Sequence, residues 1–404
     1  MKYPIGIQNF EKIRHEGYAY VDKTALIYSL AHNGSYYFLS RPRRFGKSLL
    51  MSTMAAYFSG KRELFKGLAI EQLEKEWTVY PVLHLDLNTD KYDHKEVLEQ
   101  RLNLFLSEWE ERYGRNVNEV TLSQRFEGII KRIFQKEGNP VVILVDEYDK
   151  PLLQAIGNDE LQSAYRNTLK AFYGTLKSQD RYIRFAFLIG VTKFGKVSVF
   201  SDLNNLTDIS MDARYQTICG ITEEEMRAYF EEGIRYVADN NELTVEETCA
   251  KLKRRYDGYH FHQRSVGVYN PFSLLNTFSK GEFGSYWFET GTPTFLVRLL
   301  QRDKFYLPDL TQQQMTSDML NSIDSINDNP IPIIYQSGYL TIKGYDKEFQ
   351  IYTLGFPNEE VEEEFTSYLM RYAKPFAADQ RRLIKVGVNF SRQHRCIDDW
   401  KVSE

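Results

Sequence analysis

Cysteine is scarce in this chain. Only Cys219, Cys249 and Cys396 occur in 404 residues. They lie too far apart for a metal-ligand spacing and are few enough to suit a reducing compartment. Long hydrophobic runs are missing as well. No stretch approaches the roughly 18 apolar residues of a membrane span, and the N-terminus has no apolar leader segment. Together these absences predict a cytoplasmic protein with no membrane partner. Charge of one sign is lacking too: 51 Lys and Arg stand against 55 Asp and Glu, a net −4. Such a balance creates no global field for nucleic acid or an anionic bilayer. The basic run Lys251, Lys253, Arg254 and Arg255 reads as a solvated helix face. What remains is ordinary globular material, 42% hydrophobic and 26% charged, with 14% aromatic residues that suit core packing. The length exceeds one hydrophobic core and predicts two or three domains.

The most informative segment runs from Tyr36 to Leu50. An apolar strand, Tyr36-Tyr37-Phe38-Leu39-Ser40, leads into the basic loop Arg41-Pro42-Arg43-Arg44-Phe45. Gly46-Lys47-Ser48 then opens a helix. This is the layout of a phosphate-binding loop. Backbone N–H groups at the helix start face the phosphates, a lysine supplies a point charge, and a hydroxyl can bind Mg²⁺. The usual pattern G-x-x-x-x-G-K-[ST] wants glycine where this chain has Arg41. Taken alone, the segment reads more readily as a helix N-terminus with an exposed lysine than as a phosphate loop.

Val141-Val142-Ile143-Leu144-Val145-Asp146-Glu147 shifts the balance. It is an apolar strand ending in two adjacent carboxylates. By itself it could be any buried parallel strand that stops at a charged loop. Downstream of a strand-loop-Gly-Lys-Ser it reads as a Walker B strand. Asp146 would then hold Mg²⁺ and Glu147 would orient and deprotonate the attacking water. Phe185 to Thr192 is a third apolar run with a polar end. It is expected to lie between the two motif strands, with Thr192 near the terminal phosphate as a sensor. Lys193 is the substitute for that role, and a plain turn-capping Thr192 is the alternative. No Asn-Lys-x-Asp guanine-reading motif occurs, which favours ATP over GTP.

Pro81 to Leu87 predicts another strand, with His84 as a satisfied core histidine. Helices are expected over 95–113, around Phe126 to Ile133 up to the breaker Gly138-Asn139-Pro140, and over 160–178. Strands alternating with helices imply a mainly parallel sheet with its ligands at the carboxyl ends of the strands. Thr217 to Ile221 suggests a last short strand. Thr222 to Glu225 then starts a helix with a capping-box pattern, and helices continue to about 255. Pro332 to Ile342, a turn at Gly344 to Lys347 and a return strand at Gln350 to Tyr352 suggest a β-hairpin after helices, the outline of a winged helix.

Several motifs together resemble the bacterial AAA-ATPase-like proteins. They include Pro4-Ile5-Gly6-Ile7-Gln8, Tyr20-Val21-Asp22-Lys23-Thr24, the segment Arg41 to Ser48, and Asp146-Glu147-Tyr148-Asp149-Lys150-Pro151. Gly190 to Phe194, Tyr256-Asp257-Gly258-Tyr259, Tyr269-Asn270-Pro271-Phe272-Ser273 and Thr290 to Phe295 belong to the same set. In that family an arginine at position 41 is expected. The resemblance implies an α/β P-loop NTPase with a parallel αβα core over 1–215, a helical lid over 216–292 and a winged-helix-like module over 293–355. It implies ATP and Mg²⁺ as ligands. Arg43, Arg44, Phe45, Gly46, Lys47, Ser48 and Leu49 would contact the nucleotide, Ser48 and Asp146 the metal, and Glu147 with Thr192 the reacting end. Such proteins usually end in a PD-(D/E)XK nuclease-like domain. Here residues 356–404 resemble only its start and end, so no nuclease activity is expected, and Asp399-Trp400-Lys401 lies after the last strand. The implied function is a Mg-dependent ATPase. The alternative is a nucleotide-gated interaction or nucleic-acid-associated switch with little turnover. A protein or nucleic-acid partner and a homo-oligomer both stay open.

Overall fold

The computed structural model describes residues 1–193, 196–200, 203–289, 313–321 and 329–372. Its centre is a five-stranded sheet of β1 (Tyr36–Ser40), β2 (Val82–Asp86), β3 (Val141–Asp146), β4 (Ile183–Gly190) and β5 (Thr207–Asp208). The order is β2-β3-β4-β1-β5 and every pair is parallel. Continuous apolar runs produce the buried central strands: every residue of β1 and β3 is buried, as parallel strands covered on both faces require. β4 separates β1 from β3, as expected. All five carboxyl ends point the same way, which places the loops after β1, β3 and β4 together. The fold class is α/β, a P-loop NTPase arrangement built on a parallel sheet.

The helices follow their local signals. Lys95–Tyr113 is found where the periodicity put it. Leu122–Glu137 begins with a Thr121 capping box and ends at left-handed Gly138. Asp159–Tyr173 and Thr175–Ser178 fill the predicted 160–178 stretch. Three helices follow the sheet, Glu223–Tyr229, Glu231–Asn240 and Val245–Tyr256. The first and third carry complete capping boxes at Thr222 and Thr244. With Pro271–Lys280 they enclose a second apolar cluster around Met226, Val237, Leu252 and Phe278.

The described residues of 313–355 include a three-stranded antiparallel sheet of β6 (Gln313–Thr316), β7 (Thr341–Asp346) and β8 (Ile351–Gly355), ordered β6-β8-β7. Short helices Ser317–Asn321 and Ile331–Gln336 lie between β6 and β7. Met315, Ile334, Tyr339 and Leu354 join the same apolar core as the parallel sheet. Helix Glu359–Tyr372 follows and buries Val361 and Phe365.

Three expectations are corrected. The strand at the outer edge of β1 is Thr207–Asp208, paired Tyr37 to Thr207 and Phe38 to Asp208. Residues 217–220 are loop, and Ile221 makes only an isolated bridge to Tyr269. Their apolar side chains are buried without strand pairing, which periodicity cannot distinguish. The first half of the proposed hairpin is helical: Pro332 sits in the first turn of Ile331–Gln336, and Ile331, Ile333 and Ile334 are all buried. β7 itself runs through Asp346, so the turn falls at 347–350. His84 is exposed because β2 is an edge strand whose alternate side chains Leu83 and Leu85 carry the burial. The segment Thr290 to Phe295 and the tail 373–404, with Cys396 and Asp399-Trp400-Lys401, lie outside the described residues. Among the described residues no helix is long and apolar enough to cross a membrane.

Candidate functional site

The loop after β1 turns sharply into helix Lys47–Phe58. Gly46 caps that helix at φ 87 and Arg44 adopts φ 66. Such curled backbone makes the anion-binding concavity of phosphate loops. Lys47 is only 4% exposed. Its ammonium lies 3.3 Å from the Pro42 carbonyl and 3.3 Å from Glu147 Oε1. The loop after β1 and the loop after β3 therefore meet at one lysine.

Glu147 holds φ 53, a left-handed conformation that costs a non-glycine residue on the order of 1 kcal/mol. Its neighbours impose it. Tyr148 donates its N–H to Ile189 O at 3.2 Å and its hydroxyl to Thr192 O at 3.0 Å. Asp149 is fully buried and accepts from Val191 N, Thr192 N and Thr192 Oγ1 at 3.2, 2.7 and 2.7 Å. Both residues after Glu147 are thus pinned to β4 and its exit. Burial, then the nearby Glu147 charge, pushes the Asp149 carboxyl up to about 6, while the Thr192 bonds pull it back.

Asp146 ends β3, almost fully buried. Burial raises its pKa to about 6, Glu147 adds to the rise, and the adjacent Ser48 hydroxyl and Lys47 ammonium oppose it. Its Oδ1 has no hydrogen-bond partner among the described residues. An open carboxylate oxygen beside a serine hydroxyl suits a hard divalent cation that completes its shell with water and phosphate oxygens. No cluster of three His, Cys, Asp or Glu occurs among the described residues, so a self-sufficient protein cage is not present there.

Lys47, Ser48 and Glu147 border a cleft of about 960 Å³, whereas Asp146 is not among its lining residues and meets it through the Ser48 hydroxyl. Arg43, Arg44, Gly46, Lys47, Ser48 and Leu49 line one side, with Glu147 and Lys150 beside them. Lys150 Nζ binds the Asn88 side-chain oxygen at 2.6 Å, which joins the loop after β2 to the rim. Pro4 to Gln8 and the helix-start residues Phe272 and Leu275 form a more apolar end. Arg44 stacks its guanidinium 4.8 Å over Phe272.

Two expected site residues are placed differently. Thr192 does not line the cleft, because a buried carboxylate at the strand end captures its hydroxyl and amide. Lys193, its substitute, is also committed: its ammonium is 2.9 Å from Asp208 and bonds Asn321. Burial would raise the Asp208 pKa, but Lys193 and Lys196 hold it below the usual carboxylate range. Phe45 is turned into the core, edge-on to Tyr259 at 4.7 Å, so its side chain anchors the loop.

Arg41 explains its own presence. It is 1% exposed and donates to Ser40 O and Ser210 O at 2.9 and 2.8 Å, and to Tyr215 O at 3.4 Å. Phe261 lies 3.9 Å under the guanidinium. The residue clamps the loop to the segment after β5 and makes no approach to the cleft. Its burial lowers the guanidinium pKa to about 10.

Other motif residues are joints. Asp22 accepts from Thr24 N, Thr24 Oγ1 and Ala69 N. Lys23 pairs with Glu225 of the helical region. Asn270 caps helix Pro271–Lys280 by accepting from Phe272 N and Ser273 N. Gly258, at φ 93, leaves the space in which the Pro357 carbonyl sits, 2.2 Å from where a Cβ would be. Sequence reasoning missed Asp149, Lys150, Asn88, Phe272 and Trp287 as parts of the site or its supports. Asp149 and Lys150 carried a signal, lying in the same short motif as Asp146, and so did Phe272 in the motif Tyr269 to Ser273; Asn88 and Trp287 carried none.

A family profile described as "Predicted AAA-ATPase" matches residues 4–200. An "Uncharacterized protein in vnfD 5'region" of Azotobacter chroococcum mcd 1 is 39% identical over 386 residues, covering 94% of this chain and 72% of the relative. Among solved structures, the Aeropyrum pernix ORC2 protein in ADPNP–ADP complexes aligns over 86% of this chain and 94% of that one, with 9% identity and a TM-score of 0.29. That last likeness is too low to bear on the fold. The match along nearly the whole chain and the strand-end geometry lead to one conclusion: the chain belongs to the predicted AAA-ATPase family.

Proposed function

We propose that this chain binds ATP with Mg²⁺ in the cleft and hydrolyses it. The observation that carries the reading is the convergence of Lys47, Ser48, Asp146 and Glu147 at the carboxyl ends of β1 and β3. Lys47 neutralises phosphate charge, having exchanged Glu147 for the nucleotide. Ser48 and Asp146 would hold Mg²⁺, which supplies charge neutralisation on the phosphate oxygens. Glu147, freed from Lys47 and 18% exposed, orients a water and accepts its proton. The curled backbone before Gly46 cradles the phosphates. The base sits at the apolar end, against Pro4 to Ile7 and Phe272. Arg43 and Arg44 stand at the rim, where either could meet a phosphate or a second copy of the chain.

A second reading is a nucleotide-gated switch with little turnover. It is favoured by the grip of later segments on the strand exits: Trp287 Nε1 donates to Arg43 O at 3.0 Å in the loop after β1, and Lys193 N, at the exit of β4, donates to Gln336 Oε1 at 2.6 Å. On the same footing we assign 216–292 as a lid and the β6-β8-β7 region as a winged-helix-like module that packs on the core.

Steady-state ATP turnover of the purified chain, with and without nucleic acid, separates the two readings. Lys47→Ala should weaken Mg·ATP binding by about a hundredfold or more, and Glu147→Gln should keep binding while losing turnover. A Glu147→Gln protein that hydrolyses ATP at the wild-type rate would remove Glu147 as the base.

A further inference from the structure

Ser337 comes from the far end of the chain and reaches the cleft. It closes helix Ile331–Gln336 and lines the cleft together with Lys47 and Glu147. The residue is 2% exposed, and its hydroxyl has no hydrogen-bond partner among the described residues. A buried hydroxyl without a partner forfeits its hydration with nothing in return, so such groups call for an explanation.

Its neighbours fix where it stands. Gln336 accepts from Lys193 N, at the exit of β4. Gly338, at φ 91, packs against Pro42 so closely that a Cβ would fall 2.6 Å from the proline Cβ. Ser337 is therefore held between the exits of β1 and β4. Pro42 is also the residue whose carbonyl touches the Lys47 ammonium, and that ammonium touches Glu147. Lys47 and Glu147 mark this corner as the reacting end of the cleft. It is also the corner from which Thr192 is withdrawn by Asp149.

We infer that Ser337 donates its hydroxyl to the terminal phosphate of a bound nucleoside triphosphate. The inference rests on the nucleotide reading above. The module over 313–355 then supplies the contact that distinguishes a triphosphate from a diphosphate, and the missing partner of Ser337 arrives with the ligand. Gln336 and Gly338 hold the segment in register for it.

The test compares wild type, Ser337→Ala and Ser337→Thr by calorimetry with Mg²⁺, using ADP and an ATP analogue with an imido bridge between the last two phosphates. A hydrogen bond to a charged oxygen is worth about tenfold or more in affinity. Ser337→Ala should lose about tenfold for the analogue and less than about twofold for ADP, and Ser337→Thr should keep the preference. Nucleotide-free Ser337→Ala should melt at or above the wild-type temperature, because it loses an unmet polar group. Equal loss for both nucleotides, an unchanged preference, or a destabilised or unfolded Ser337→Ala overturns the assignment and leaves the nucleotide reading standing. Wild-type chain that binds neither nucleotide overturns both.

Discussion

The parallel sheet and the C-terminal module share one apolar core, yet they are held in different ways. In the sheet, short runs of sequence do nearly all the work. β1, β3 and β4 are apolar blocks that bury themselves; β3 ends on Asp146, and β1 and β4 end just before the loops that carry Lys47 and Thr192. In the helical region and the module, the decisive contacts join residues far apart in sequence. Trp287 reaches Arg43 across 244 residues and Lys193 reaches Gln336 across 143. The sheet supplies reactive groups, and the module supplies the walls that fix them. A further clasp ties the module's last helix to the helical region. Glu360, fully buried, accepts from Ser273 Oγ at 2.8 Å and from Trp287 N at 2.8 Å, and burial raises its carboxyl to about 7. One carboxylate thus links the helix that carries Phe272 with the tryptophan that holds the phosphate loop.

The comparison can be broken most forcefully at Arg41. If this residue is purely a clamp, Arg41→Gly restores the consensus glycine and still harms the protein. Three carbonyls lose their donor, and the chain should lose about 3–5 kcal/mol of stability with no gain in nucleotide affinity. Denaturant melts with and without nucleotide measure both, and a tighter-binding Arg41→Gly would show that the arginine obstructs the site.

Next comes Gly338→Ala. The left-handed backbone and the proline behind it should cost about 2–4 kcal/mol. The loss should also reach the sheet, lowering nucleotide affinity through Pro42. An Ala variant with normal stability and affinity would separate the module from the loop.

A pH series sharpens the chemistry of the sheet side. Asp146 keeps its proton in the folded chain up to about pH 6, whereas an unfolded aspartate loses it near 4. The folded state binds more protons in that window, so this group's contribution to stability falls as pH rises through it and stays low above 6. Cation binding needs the ionised form and follows the opposite slope. Mg²⁺-dependent nucleotide affinity should rise up to about tenfold per pH unit below 6 and level above about 7. Asp146→Asn should flatten the profile and stabilise the nucleotide-free chain at pH 8. A profile unchanged in Asp146→Asn would move the titration to Asp149.

The smallest expected effect belongs to Trp287→Phe. It keeps the ring packing near Tyr339 and removes one indole bond to Arg43 O, costing about 1 kcal/mol. Nucleotide-induced change in the intrinsic fluorescence of wild type reports whether that bond responds to the cleft.

The two regions also differ in how legible they were. The boundaries of β1 and β3, helix 95–113 and the Thr222 capping box were readable because their signals are local: apolar period, caps, and Gly or Pro stops. So was the approach of Asp146 to Ser48, because parallel strands bring their carboxyl ends to one edge. β5 was misplaced because a two-residue polar edge strand has no periodic signal at all. Helix Ile331–Gln336 was mistaken for a strand because a short apolar run buried all round fits either form.

By itself, then, the sequence determined the parallel core and the strand-end cluster of Lys47, Ser48, Asp146 and Glu147, since both follow from neighbours along the chain. Only the tertiary structure decided which polar groups are spent on holding it together. Arg41, Thr192 and Lys193 look available in sequence, but each is claimed by a buried partner: the Ser210 carbonyl, Asp149 and Asp208. Ser337 looks idle in sequence and is carried to the cleft. A buried donor or acceptor must be paired, and which partner it meets depends on contacts between segments that no local pattern encodes.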